Sequence, residues 1–536
     1  MEDKTILETS SREVNAITTQ TSQDAQDMAR LGKKQELKRN FRDLSILGLT
    51  CMMMGTWEAM VTTATFSLIN GGLAGTIWIY VGVWLSTICV VLSMAEMASM
   101  APTSGGQYHW VSEFGPPQHQ KFLSYVVGWL SALGWQTGVA TTAFASGGIL
   151  QGVIYLNYPD YVAEQWHGTL LTIAVALVAF FVNTIGAKHL PMMEAVILFM
   201  HTFGFFVILI PLWVLAPRTT ASKVFGEFSN FGGWSSIGGA TIVGMITPVG
   251  SFGGEHHKGY SHPRGSKSSV IPGYDAAAHM AEEVRDASKV VPRAMIITIL
   301  LNGLMGFVMI ITFCFCITDL ETLLSLPVAF PFVEVFKSAT GSVTGATLMS
   351  IVIIVLTMCT CMSGLAAASR QVFAFARDEG LPASNTWKKV SVIGTEIPLN
   401  SVLISLTIAV LMSLVNLGST TAFNSIVGLL NGSAGTAYAL SLACLLWRRT
   451  RSPEPLPPAR FSLGKWGLPL NIFSLFYVTM ATTVGFFPVM KQVTVQTMNW
   501  SSVVYAGVMA IAMVAYFCGG RQRYKGPVVY VQKERY

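Results

Sequence analysis

Apolar runs of about 20 residues recur along most of this chain, and each is long enough to cross the roughly 30 Å hydrocarbon layer of a bilayer as one helix. Only 12% of the 536 residues are charged, against 52% that are hydrophobic. A soluble domain of this size needs more charge to cover its surface. The strands of a closed barrel would alternate polar and apolar residues, and the sequence lacks that alternation. We therefore predict an all-α membrane protein.

Read in order, these runs predict twelve membrane-spanning helices, which we call spans 1 to 12. The polar segment 1–43 before them is rich in Ser, Thr and Gln, and we predict a disordered cytosolic tail there. A second cytosolic tail, 520–536, follows the last span. The twelve windows, which together form the transporter domain 44–519, lie at 44–68, 73–100, 121–151, 167–187, 192–215, 237–284 with an interruption, 293–317, 341–376, 398–417, 420–447, 467–490 and 500–519.

The distribution of Lys and Arg predicts that both termini are cytosolic. With a cytosolic N-terminus, 27 of the 34 Lys and Arg residues lie in inner loops and tails and only 4 in outer loops. Cytosolic loops of membrane proteins carry this excess of positive charge. The net charge of +6 is thereby explained by topology, and we expect no nucleic acid partner.

Spans 1 and 6 are interrupted by helix breakers near their centres. Span 1 carries a glycine and a carboxylate there, in the stretch Gly55-Thr56-Trp57-Glu58, and span 6 is dense in Gly and Pro up to Gly253. Broken helices at matching places in two five-helix halves are typical of a transporter binding site. Unwinding a helix frees N–H groups that suit a carboxylate and carbonyls that suit an ammonium group.

Glu58 is the residue of span 1 that most needs an explanation. A carboxylate at the centre of a bilayer costs about 2.5–3.5 kcal/mol on insertion scales, so it should face the protein interior. It could serve as counter-charge for a substrate amine, as a proton-coupling group, or only as a hydrogen-bond partner of another helix. Trp57 could offer its ring face to an ammonium group or simply pack. Asp275, after the interruption of span 6, could cap the next helix.

Three further segments occur in a fixed order along the chain. The first leads from Glu96 through Pro-Thr-Ser to Gly105-Gly106-Gln-Tyr, the second is Ser251-Phe252 and then Gly273-Tyr274-Asp275-Ala-Ala-Ala, and the third leads from Arg370 to Arg377-Asp-Glu-Gly. Together they resemble the fungal amino acid/choline permeases of the amino acid–polyamine–organocation (APC) superfamily, over about residues 40–520. The stretch Met54–Ala59 is most similar to the choline branch, and the chain as a whole most resembles the choline and γ-aminobutyrate permeases.

The resemblance implies two inverted five-helix repeats plus two extra helices, and a secondary active transporter that is not an enzyme. It implies protons as coupling ion, and choline, γ-aminobutyrate, amino acids or polyamines as substrates. We expect a plasma-membrane protein with no metal and no cofactor. The residues expected to bind substrate are Gly55, Thr56, Trp57, Glu58, Val249, Gly250, Ser251, Phe252, Tyr274 and Asp275. Gating or structural roles are expected for Glu96, Gly105, Gly106, Glu282 and Arg377.

Three other functions are alternatives to this interpretation. A nutrient sensor on the same scaffold would not transport, but such proteins carry long signalling tails, and the tails here are short. A permease serving a secondary-metabolite pathway would have the same sequence features. An intramembrane enzyme would need paired catalytic groups in one cavity, and the sequence offers none.

Residues 254–272 depart from the resemblance, because they place charges and three histidines where span 6 should cross the membrane. Each charge in hydrocarbon costs a few kcal/mol. A metal or regulatory loop and a loop extruded to the outside are two explanations. We favour a third, a translated intron, because a frame-preserving excision would restore Ser-Phe-Gly-Gly-Tyr-Asp.

Overall fold

The computed structural model describes residues 21–158, 160–253, 273–325, 331–390, 397–418, 420–488, 490–494, 498–524 and 526–527. Within these ranges the chain is helical, and the strand-like pairing is one isolated bridge between Phe41 and Val284. Eleven helices are long and apolar enough to cross a membrane, and a shorter apolar helix, Ile237–Ser251, stands at the place of span 6. The predicted all-α membrane fold of about twelve spans is confirmed.

The helices of the spans follow the predicted order. Spans 1 to 6 are Asp43–Met54 with Thr56–Thr63, Gly72–Met100, Gln120–Asn157, Gln165–Thr184, Leu190–Leu215, and Ile237–Gly244 with Ile246–Gly253 and Ala276–His279. Spans 7 to 12 are Ala287–Phe315, Val343–Arg377, Leu399–Gly418, Thr420–Thr450, Gly467–Gly485 and Ser501–Ala515. Short helices also occur before, between and after the spans, namely Ser22–Arg30, Thr65–Ile69, Gln107–Phe114, Ala221–Gly226, Leu320–Ser325, Pro331–Thr340, Ser384–Trp387 and Arg521–Arg523.

Span 1 lies at the centre of the bundle and span 12 at its edge. In the most apolar part of span 1, 89% of the residues are buried inside the protein, against 11% for span 12. Span 1 packs against spans 5, 7 and 8, and span 3 packs against spans 8 and 10. Large apolar side chains such as Phe199 and Phe517 are exposed on the outer helices, as expected for surfaces that face lipid. Span 1, one of the two interrupted spans, is therefore the span most enclosed by other helices.

The predicted disordered tail 1–43 is wrong for residues 21–42, which fold against one end of the bundle. Helix Ser22–Arg30 has an N-terminal capping box. The carboxylate of Asp24 accepts hydrogen bonds from the backbone N–H groups of Asp286 and Ala287, at 3.0 and 3.1 Å, where span 7 begins. Lys33 forms an ion pair with Asp378 after span 8. We call the end of the bundle that holds this segment the terminal side.

The tail prediction failed because average composition hides single apolar residues. Met28, Leu31, Leu37 and Phe41 are each at most 3% exposed in a segment that is otherwise polar. Burial of a few such side chains offsets the entropy lost on ordering the segment. At the other end of the chain, the Tyr524 hydroxyl lies 2.6 Å from Ser124 Oγ of span 3. Residues 1–20 of the tail, and the insert 254–272 with its intron hypothesis, lie outside the described residues.

Candidate functional site

Span 1 is broken at Gly55, as the sequence predicts. Helix Asp43–Met54 ends there and helix Thr56–Thr63 begins, and Gly55 has φ 39° and ψ 42°. This left-handed conformation strains residues with a Cβ atom and is readily adopted by glycine. The Gly55 N–H closes the first helix with a hydrogen bond to the Cys51 carbonyl at 2.9 Å. The first N–H groups of the second helix have no acceptor within that helix.

The interruptions of spans 1 and 6 meet at the centre of the protein. The Thr56 hydroxyl donates to the Ser251 carbonyl, near the end of helix Ile246–Gly253, at 3.2 Å. Where the chain resumes, a Cβ added to Gly273 would lie 2.5 Å from Met54 Cα, so the two backbones are in direct contact. Gly55, Thr56 and Ser251 are thereby brought together, as predicted.

The remaining predicted residues of span 6 lie around this junction. Val249 and Gly250 belong to the last turns of helix Ile246–Gly253. Val249, Tyr274 and Tyr438 line a cavity of about 60 Å³ between spans 2, 6, 10 and 11. That volume holds a few water molecules. The side chain of Phe252 lies outside the described part of the chain.

Glu58 is fully buried and forms a hydrogen bond with span 5. Its Oε1 lies 2.6 Å from Nδ1 of His201, and Nε2 of His201 lies 3.0 Å from Oδ1 of Asn302 on span 7. Asn302 Nδ2 in turn donates to the Cys51 carbonyl of span 1 at 3.3 Å. The chain of contacts Glu58–His201–Asn302–Cys51 joins spans 1, 5 and 7 and returns to span 1 just before Gly55. We call it the Glu58 network.

The geometry of this network fixes where a proton lies. Because Asn302 uses its N–H₂ group on Cys51, its Oδ1 is left to accept from an N–H at His201 Nε2. A neutral imidazole then carries only a lone pair at Nδ1. Two acceptors 2.6 Å apart would repel each other, so a proton lies between Glu58 and His201. The other oxygen of Glu58, Oε2, is buried without a hydrogen-bond partner.

Trp57 also faces span 5. Its ring is fully buried, with ring centroids 6.0 Å from His201 and 5.9 Å from Phe205. Its indole N–H has no hydrogen-bond partner. Trp57 and Glu58 thus contact span 5, whereas the neighbouring Thr56 contacts span 6.

Sequence reasoning missed three buried polar residues near span 1, namely His201, Asn302 and Glu194. Glu194, on span 5, accepts from the Ser363 hydroxyl of span 8 at 2.8 and 3.0 Å. Glu194 and His201 are seven residues apart, so they share one face of span 5. The rule that singled out Glu58, that an ionisable residue inside the membrane faces the interior, would have found both.

Asp275 does not cap a helix, so that prediction is wrong. It stands at the N-cap position of helix Ala276–His279, but its side chain makes no capping hydrogen bond. Its Oδ2 instead accepts from the Gln107 side chain and lies 3.5 Å from His279 Nε2. The helix is a single turn, and a side-chain amide donor is available beside it. Asp275 and Glu58 therefore belong to two separate hydrogen-bond networks.

The charged residues predicted to gate the protein, Glu96, Glu282 and Arg377, form ion pairs on the terminal side. Arg377 binds Glu282 through two hydrogen bonds of 2.7 and 2.8 Å, and the Ser104 N–H donates to the same carboxylate at 3.2 Å. Glu96 binds Arg449 in the last turn of span 10 and accepts from the Leu463 N–H at 3.0 Å. These pairs join the ends of spans 2, 6, 8 and 10.

Gly105 and Gly106 lie where the loop after span 2 touches the second half of span 6. A Cβ on Gly105 would lie 2.9 Å from the Tyr108 ring. Gly106 has φ 52°, and a Cβ there would lie 2.9 Å from an imidazole carbon of His279. Both positions therefore need glycine for close packing, and Gly106 also needs it for its backbone conformation.

Comparison with known proteins agrees with this architecture. The family model described as amino acid permease matches residues 44–511, which is most of the chain. The amino-acid permease BAT1 of Arabidopsis thaliana is 30% identical over 519 residues, covering 93% of this chain and 95% of that protein. A Schizosaccharomyces pombe amino-acid permease is 29% identical over 518 residues, covering 95% of this chain and 90% of the relative.

A third relative, from Macrophomina phaseolina, is assigned as an amino acid/polyamine transporter. It is 30% identical over 462 residues, which cover 85% of this chain and 97% of the relative. The expected membership of the APC superfamily is confirmed, and the chain is a multi-pass transporter rather than an enzyme. With its broken span 1 meeting span 6 at the centre of a helical bundle, this chain belongs to the amino acid permease family.

Proposed function

We propose that the protein is a proton-coupled secondary active transporter of small aminated solutes, and that the solute binds where the interruptions of spans 1 and 6 meet. The candidate solutes are amino acids, γ-aminobutyrate, polyamines and choline. The observation that carries the proposal is the contact between the two interrupted spans, through Thr56 and Ser251 at 3.2 Å and through Gly273 and Met54. Backbone groups freed there offer N–H donors for a carboxylate and carbonyls for an ammonium group.

The Glu58 network supports coupling to protons. A proton is held between Glu58 and His201, and its loss would leave a carboxylate facing an imidazole lone pair at 2.6 Å. The contact between spans 1 and 5 therefore depends on protonation. Since Glu58 lies three residues after the Gly55 break, a change in this contact moves the half-helix whose first N–H groups face the solute site.

We further propose that both termini are cytosolic, as the Lys and Arg distribution predicts, and that the protein lies in the plasma membrane. The terminal side would then be the cytosolic side. The ion pairs Glu282–Arg377 and Glu96–Arg449 would form the closed cytosolic gate in this conformation. Solute release to the cytosol requires them to separate.

The direct test is uptake by cells that express the chain and lack their own carriers for these solutes. Radiolabelled γ-aminobutyrate, choline, spermidine and a mixture of L-amino acids are offered separately at external pH 5 and pH 8. We expect uptake of at least one of them, faster at the acidic pH and abolished by an uncoupler. The full chain and a form without residues 254–272 are compared, because the insert lies in the interrupted span. Absence of uptake by both forms would refute the proposal and favour the sensor.

A further inference from the structure

The ordered N-terminal segment, residues 21–42, lies across the terminal side, and we call it the strap. The side-chain amide of Gln35 donates to the backbone carbonyl of Glu282 at 2.8 Å. Lys33 forms an ion pair with Asp378. Glu282 lies at the end of span 6 and Asp378 at the end of span 8, so the strap is bound to two ends that the proposed gate also joins.

The strap can hold both ends only while they lie close together. Lys33 and Gln35 are two residues apart, so their Cα atoms are separated by at most about 7 Å. Asp378 directly follows Arg377, the partner of Glu282 in the gate. Both strap side chains already reach their partners, so an opening wide enough to pass a solute breaks one of the two contacts.

Both ends of the strap are attached to the corner between spans 6 and 7, residues 281–287. Phe41 exchanges two backbone hydrogen bonds with this corner, both of 3.0 Å. Arg39, which is 2% exposed, donates to two further carbonyls there. At the other end of the strap, the carboxylate of Asp24 accepts from the N–H groups where span 7 begins. These contacts use the backbone of the corner, so the strap is expected to move together with it.

The polar contacts of the strap with spans 2 and 8 are of a different kind, because they are made by the ends of long side chains. Lys33 reaches Asp378, and Arg30 donates to the Met100 carbonyl at the end of span 2. The side chains of Lys33 and Asp378 are 6% and 2% exposed, so salt screens their attraction little. Such contacts stabilise the closed state, and they can break and form again without unfolding the strap.

We infer that the strap locks the terminal side closed, and that its middle part detaches from span 8 in each transport cycle while both of its ends stay on the corner. The contact that breaks is the ion pair of Lys33 with Asp378. This inference rests on the proposed transport function, and it adds a third connection to the two ion pairs of the gate. The strap is thereby a moving part of the transporter, although the sequence alone predicts a disordered tail in its place.

The test fixes the strap to span 8 by a reversible cross-link. Lys33→Cys and Asp378→Cys are combined in one chain, and the two cysteines that are not buried, Cys89 and Cys518, are replaced by serine in every form. Cells expressing the full chain or, in parallel, the form without residues 254–272 are offered γ-aminobutyrate, choline, spermidine and the L-amino acid mixture. Uptake is measured before and after a membrane-permeant bis-methanethiosulfonate reagent, and mass spectrometry identifies the joined peptides. We expect uptake before cross-linking, none after it, and recovery on reduction.

Arg42→Cys combined with Arg285→Cys is the matched control. These two residues directly follow Phe41 and Val284, which form the backbone bridge between the strap and the corner. The same reagent therefore joins the strap to the corner instead of to span 8. The cross-linked control should transport at the rate of its untreated form.

Uptake that survives the cross-link to span 8 would overturn the lock and leave the transport proposal intact, and so would loss of uptake in both cross-linked proteins. Uptake by no form before cross-linking would instead overturn the transport proposal, and the lock with it. If the variant with cysteines at Lys33 and Asp378 does not fold, hydrogen exchange of the unaltered chain decides. Adding the transported solute should lower protection in residues 31–36 and leave it constant in residues 39–42, and unchanged protection in residues 31–36 would overturn the lock.

Discussion

Replacing Glu58 by glutamine should separate transport from its proton dependence. In the Glu58 network, Oε1 and His201 Nδ1 are 2.6 Å apart and share a proton. The amide of Glu58→Gln offers an N–H in the same place, so the contact between spans 1 and 5 persists. We expect the folding free energy to change by about 1 kcal/mol, the usual size of one hydrogen bond. The exchangeable proton, however, is replaced by a covalent N–H that cannot leave.

The size of the functional effect follows from the proton gradient. If one proton moves with each solute, a pH difference of one unit supplies about 1.4 kcal/mol. That free energy supports about tenfold accumulation of a neutral solute, and two pH units support about 100-fold. The Glu58→Gln protein should show no accumulation at either gradient, whereas its exchange of internal for external solute should persist.

Both quantities can be measured in proteoliposomes with radiolabelled γ-aminobutyrate or L-alanine. Exchange is followed at equal pH, and accumulation after a pH jump in the absence of a membrane potential. His201→Ala is the contrasting variant. It leaves Glu58 buried without a partner, which costs about 3–5 kcal/mol when a buried pair is broken, so both activities and the melting temperature should fall. Accumulation by Glu58→Gln equal to that of the wild type would refute the assignment of coupling to this pair.

Three further predictions concern the terminal side. Gly106→Ala should abolish uptake, because Gly106 has φ 52° and the added Cβ would lie 2.9 Å from an imidazole carbon of His279. The control, Gly507→Ala, should transport normally, because nothing lies within 4 Å of its added Cβ. Lys33→Glu should speed amide hydrogen exchange in residues 21–42, because it breaks the ion pair with Asp378. Adding Asp378→Lys to the same chain should restore protection by rebuilding the ion pair with reversed charges. A double variant that stays unprotected would count against the role of this ion pair. Burial alone would raise the pKa of Asp24, but the charge of Arg39 and the N–H groups that donate to the Asp24 carboxylate lower this pKa below its usual value. The stabilising contribution of Asp24 is therefore complete above about pH 4 and is lost as pH falls through the lowered pKa. The protection factors of residues 22–30, which are the exchange rates corrected for their intrinsic pH dependence, should stay constant from pH 8 to 5, and a loss of protection near pH 6 would contradict the assignment.

The sequence by itself determined the membrane architecture and the positions of the interruptions. The length and hydropathy of each run depend only on neighbouring residues, so the sequence predicts each span. The predicted ends differ by a few residues from the ends of the helices in the structure. Span 7 is an example, since it begins at Ala287 rather than residue 293, with charged residues in its first turns. The break at Gly55 was likewise visible, because glycine beside a carboxylate disfavours a continuous apolar helix.

Only the tertiary structure decided what the polar side chains bind. Glu58 meets His201, which is 143 residues away in the chain, and Asp275 turns to Gln107, 168 residues away, instead of capping its own helix. Residues 21–42 are ordered by burying four apolar side chains against the end of the bundle. Such partners depend on how the helices pack, and hydropathy and local spacing contain no information about packing over these separations.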